Sequence, residues 1–111
     1  ARLYQHWAMT NLAYFLARLD DADALEDDGR TVLDNTTVVI GTEYGWNHDH
    51  REAFHAVVGG VDRFRSGSHV DLDLHAADLY NGVLAGYGLD GDIGRASGIE
   101  SRGDVRSVLL R

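Results

Sequence analysis

The stretch "NTTVVIGTEYG" constrains this chain most. From Thr36 to Thr42 it is β-branched and apolar, with no alternation of polar and apolar positions. A helix loses side-chain freedom on such residues, whereas a pleated strand packs them well. An unbroken apolar run suits a strand covered on both faces, as in a parallel sheet, better than a strand with one wet face. The run "FHAVVGG", ending in a glycine pair at Gly59 and Gly60, reads as a second strand. Between the two lies a polar stretch holding Glu43, Tyr44, Trp46, His48, Asp49 and His50.

Helices flank this centre. Leu3 to Leu25 reads as a helix, with Leu3, Trp7, Leu12, Phe15, Leu16 and Leu19 at spacings of three and four. That stripe is expected to face the core. The acidic run "DDADALEDDG" after it is unfavourable at a helix C-terminus, so the helix should give way there to a solvated loop. His75 to Tyr87 reads as a second helix, with Leu79, Val83, Leu84 and Tyr87 on one face and Asp73 as its N-cap. "VDRFRSGSHVDL" reads as a loop with a short edge strand. "GYGLDGDIGRASG" reads as a glycine-rich loop, and Asp104 to Arg111 as a short helix. The order helix, strand, loop, strand, helix predicts α/β layering.

Composition narrows the function. The 111 residues suit a single domain or a domain fragment, 1–111. The formal net charge of −8 lacks the basic footprint that nucleic acid or anionic lipid requires. All ten basic residues are arginine. With no cysteine, disulfides, thiolate zinc sites and cysteine nucleophiles are excluded. No apolar run approaches the roughly 20 residues needed to span a bilayer. The chain starts at Ala1 directly in a helical pattern, and we expect it to be part of something longer.

Glu43, His48, Asp49 and His50 lie within eight positions. Imidazole and carboxylate are the ligands of zinc, manganese or iron when thiolate is absent. In an extended stretch His48 and His50 point the same way. The competing reading is a polar loop whose histidines meet solvent. Elsewhere, Asp20, Asp21, Asp23, Asp27 and Asp28 could attract calcium, but they lack the spacing of a calcium-binding hand. His6, His69 and His75 read as surface or boundary residues. Ser66 and Ser68 lack the strand-then-helix context of a nucleophile elbow.

"GRTVLDNTTVVIGTEYGWNHDHREAFHAVVGGVDRFRSGSHV" followed by "HAADLYNGVLAGYGLDGDIG" resembles the C-terminal part of the alkaline-phosphatase/sulfatase-like superfamily. More narrowly, it is similar to the twin-arginine-exported bacterial families of that superfamily (domain of unknown function, fifteen-fifty-two type). The likeness covers roughly Leu12 to Gly94 and rests on the order of its motifs. It implies the C-terminal portion of an α/β/α sandwich with a mostly parallel sheet. It also implies a periplasmic or secreted location and a site for phosphate or sulfate ester hydrolysis on one or two metals. Carried onto this chain, Glu43 takes the strand-end acid position and His48 or His50 the loop histidine position. The dication would be zinc, manganese or calcium. The chain departs from the pattern in two places: Glu43-Tyr44 stands where Asp-His is usual, and "FHAVV" lacks the usual proline. The superfamily's nucleophile and first metal ligands lie in an N-terminal half that is not in this chain. No catalytic residue is therefore assigned here, and the expected partner is that missing half or a second copy. A non-catalytic α/β interaction domain is the alternative.

Overall fold

The computed structural model describes residues 2–42 and 53–111. The chain divides into two units, Ala1–Gly60 and Val61–Arg111.

The first unit begins with α1, Arg2–Leu19. The helix stops six residues short of the expected Leu25. Asp21 then bends the chain, its Oδ1 accepting the Asp23 N–H at 2.9 Å, the short-range bond by which aspartate competes with a helix. None of α1 is fully buried. Its least exposed residues are Ala8, Leu12, Leu16 and Leu19, while Leu3, Trp7 and Phe15 of the expected core stripe lie in solvent. The stripe therefore splits, and only its C-terminal leucines are shielded.

A short helix, α2 (Val32–Asn35), precedes the first strand. Thr31 and Asp34 build it reciprocally. The Asp34 N–H donates to Thr31 Oγ1 at 3.2 Å, and the Thr31 N–H donates to Asp34 Oδ2 at 3.3 Å. This capping box satisfies two of the donors a helix start leaves open.

Strands β1 (Thr37–Gly41) and β2 (His55–Gly59) are close to the expected runs. They form a two-stranded antiparallel sheet with Val38 opposite Val58, Val39 opposite Val57 and Ile40 opposite Ala56. This overturns the α/β/α sandwich with a mostly parallel sheet. The register settles the direction: Thr37 lies opposite Gly59 and Gly41 opposite His55, an order that only antiparallel strands give. An apolar run without alternation indicates a strand but not the direction of its neighbour. Gly59 (φ +81°) lets β2 come close to α2: a Cβ there would lie 2.1 Å from the Thr36 carbonyl oxygen and 2.5 Å from that of Leu33.

In the second unit α3 spans Ala76–Gly86, within a residue of expectation, and α4 spans Arg106–Leu109. A 3₁₀ turn, Arg95–Ser97, interrupts the glycine-rich loop. Residues 63–65 run antiparallel to 109–111 through an isolated Phe64–Leu110 bridge, so the suggested edge strand is reduced to one pair. The Arg65 N–H donates to the Leu109 carbonyl at 2.9 Å and the Arg111 N–H to that of Arg63 at 3.0 Å. Phe64 and Val105 are buried. The face α3 lays on them is Gly82 and Gly86, not the expected Leu79, Val83, Leu84 and Tyr87 face. A Cβ on Gly86 would lie 2.6 Å from the Phe64 ring. Tyr87 stays exposed, with the Arg63 guanidinium 4.3 Å above its ring. Among the described residues no helix is long and apolar enough to cross a membrane.

Candidate functional site

The antiparallel sheet fixes the two ends of the segment that carries Glu43, His48 and His50. The Thr42 N–H donates to the Phe54 carbonyl at 3.1 Å, and the Phe54 N–H donates back to Thr42 Oγ1 at 3.2 Å. Residues twelve positions apart are thus held side by side. Glu43 follows this clamp directly in the chain. Residues 43–52, which include Glu43, His48, Asp49 and His50, lie outside the described residues. His55 opens β2, half-buried and opposite Gly41.

Among the described residues, no three His, Asp or Glu side chains come together to hold a metal ion. The acidic run after α1 organises its own loop instead. Asp20 Oδ1 accepts the Thr31 hydroxyl at 3.1 Å, and Asp28 Oδ1 accepts the Arg30 N–H at 2.9 Å. The Asn35 amide donates to Asp28 Oδ2 at 2.8 Å and also to Glu26. The Arg30 N–H, then the Asn35 amide, hold the Asp28 carboxyl below its ordinary range.

The second unit contains a carboxylate that sequence reasoning passes over. Asp78 is 6% exposed. Its Oδ2 accepts the Arg102 N–H at 3.0 Å and the His75 N–H at 3.1 Å. Burial by itself would raise its pKa. The Ser101 hydroxyl, followed by the Arg102 and His75 N–H groups, outweighs that and holds the carboxyl below its ordinary value. The N-cap is His75, not Asp73; Asp73 instead pairs with Arg102 at 3.0 Å on the surface. "HAAD" carries the signal in the sequence, an acid three positions after the residue that starts a helix, but without the usual Ser or Thr at the cap.

Beside Asp78 lies an open cleft of about 460 Å³, lined by Asn81, Asp92, Arg95, Glu100 and Ser101 among others. Asn81 bridges it by accepting the Ile93 N–H at 2.9 Å. The Arg95–Asp92 pair is exposed, at 3.9 Å. These groups hold the 91–101 loop against α3. His6 and His69 are exposed, as are Ser66 and Ser68. Comparison with protein-family models, with curated proteins and with solved structures finds no match for this chain.

Proposed function

We propose that the chain contributes Glu43, His48 and His50 to a divalent-metal site of phosphatase- or sulfatase-like type. The observation that supports this best is the Thr42–Phe54 clamp, which holds side by side the residues that flank the segment bearing all three ligands. Two imidazoles and one carboxylate make a borderline donor set that fits zinc or manganese; calcium takes oxygen ligands, so the two histidines speak against it. A dication held there would polarise an ester oxygen and lower the pKa of a nucleophilic water or hydroxyl. This chain's own residues would fix the ion: His48 and His50 as neutral ligands, Glu43 as the charged one, Asp49 orienting an imidazole from behind. The reading rests on the order of motifs and on the place of Glu43 in the chain just after β1 and Thr42. By the same resemblance the site would work outside the cytoplasm.

Calorimetric titration of the chain with zinc and with manganese tests it, alongside His48→Ala and His50→Ala. Each substitution should weaken binding about tenfold or more. If neither changes affinity or metal content, the metal reading is wrong.

A second reading is an interaction domain without chemistry of its own, able to associate with a second copy. The exposed aromatic face of α1 favours it.

A further inference from the structure

Helix α1 keeps large apolar side chains in water along one face. Leu3 is 87% exposed, Tyr4 71%, Trp7 61%, Tyr14 69% and Phe15 49%. At 100° per residue these five lie within a sector of about 120°, next to the half-buried line of Ala8, Leu12, Leu16 and Leu19. Tyr4 and Trp7 already stack on each other, with centroids 6.0 Å apart. With about 150–250 Å² per aromatic side chain, the five leave roughly 600 Å² of apolar surface uncovered, at the upper limit for the largest patch of an ordinary monomer.

We infer that this face is a homodimer interface in which α1 of one copy packs antiparallel on α1 of another. The inference rests on the interaction reading above and names its surface and its partner. The first argument is pattern. Tyr4, Trp7, Asn11, Tyr14 and Arg18 repeat at spacings of three, four, three and four. That is the seam of a helix that packs along its length on a second helix. The exposed face is also self-complementary about Asn11 to within one residue. In an antiparallel pair with the two Asn11 side chains on the two-fold axis, Tyr4 meets the partner's Arg18, and Trp7 meets the partner's Phe15 with Tyr14 beside it. Cation–π, aromatic and amide contacts result, each made by two copies of one surface, as an isologous interface requires. A lone Asn in such a seam sets the register.

The second argument is charge. Helix α1 has Arg2 and Arg18 but no Asp or Glu, although the whole chain has a net charge of −8. Asp20, Asp21 and Asp23 follow directly after it. Antiparallel pairing puts the Arg2 end of each helix beside the acidic segment of the other, whereas parallel pairing puts like charges together. The third argument is area. Two such faces remove about 1,200 Å² in all, the lower end of what a specific interface buries, which fits a micromolar dimer.

The test uses the intact chain. Sedimentation across a dilution series through the micromolar range should show a monomer–dimer equilibrium that stops at the dimer. Trp7→Glu should weaken it at least tenfold with an unchanged circular-dichroism spectrum, since Trp7 is mostly exposed and its ring stacks within its own copy on Tyr4, itself exposed. The chain has no cysteine, so Asn11→Cys provides a trap for the register. It should cross-link to a disulfide dimer on mild oxidation, and Ala13→Cys, on the opposite face, should not. A wild-type chain that is monomeric throughout overturns both the dimer and the interaction reading. A dimer indifferent to Trp7→Glu, or one that Ala13→Cys traps as readily as Asn11→Cys, overturns the α1 interface while leaving association intact. Growth beyond the dimer overturns the two-fold arrangement.

Discussion

Gly82 of α3 lies so close to Val105 that a Cβ on the glycine would sit 2.2 Å from Val105 Cγ2. Val105 is 2% exposed and has little room to move away. Gly82→Ala should gain about 1 kcal/mol of helix propensity. Overpacking costs about 1–3 kcal/mol, and a contact this short belongs at the upper end, for a net loss near 1–2 kcal/mol. Urea unfolding measures it. Val105→Ala removes the offending methyl, so the double variant should be more stable than the two single losses imply, with a coupling of about 1 kcal/mol.

Gly59 presents a harder case, because its obstacle is backbone. The left-handed φ of +81° is unfavourable for alanine, and the new Cβ would face two carbonyl oxygens that cannot rotate away. Gly59→Ala should cost about 3 kcal/mol or more. Amide hydrogen exchange should show the loss concentrated in β1, β2 and α2, with α3 protected as before. Exchange that rises equally in α3 would contradict the division into units at Gly60.

Asp78 gives the second unit an acid-sensitive clamp. Asp78→Asn removes the charge behind the bonds to the Arg102 and His75 N–H groups and should cost about 1–3 kcal/mol near neutral pH. The carboxyl is held below its ordinary value of 3.8. Its contribution is therefore complete above the unfolded pKa and is lost as pH falls through the folded one, below 3.8. Denaturant midpoints of parent and variant, well separated at neutral pH, should converge at the acid end. A constant gap would assign the cost to packing and not to charge.

Much of the skeleton was legible in the sequence, for reasons that also explain the failures. Periodicity located α1 and α3 because three-and-four spacing registers which residues line up. It carries no information on whether a neighbour exists to cover them, so Leu3, Trp7 and Phe15 fit the core stripe by spacing and yet lie in solvent. Likewise β-branched runs located β1 and β2, but no property of "TTVVIG" sets the direction of its partner. On α3 the buried face was missed because hydropathy weights leucine, whereas close packing here needs the absence of a side chain at Gly82 and Gly86. Asp78 was missed because a buried carboxylate depends on donors twenty-four positions away, at Arg102. For Glu43, His48 and His50 the sequence supplied the donor types and the fold supplied the clamp at Thr42 and Phe54.

That clamp yields a prediction about metal binding. Thr42→Val keeps the β-branched shape and the Thr42 N–H bond to Phe54 but removes the hydroxyl that accepts the Phe54 N–H. Both residues are exposed, so water can replace the lost bond and stability should change by less than about 1 kcal/mol. The loop ends would be less restrained, and ordering them would then oppose binding. Zinc affinity should fall by about three- to tenfold with the fold intact. Acid should separate this effect from ligand loss. An imidazolium must give up its proton before it can bind, so on the acid side two histidine ligands weaken binding by up to about a hundredfold per pH unit. Thr42→Val should lower the whole curve without changing that slope, because it removes no ligand. His48→Ala should lower it and also reduce the slope to about tenfold per unit, one proton instead of two. Equal slopes in all three proteins would mean that His48 does not hold the ion.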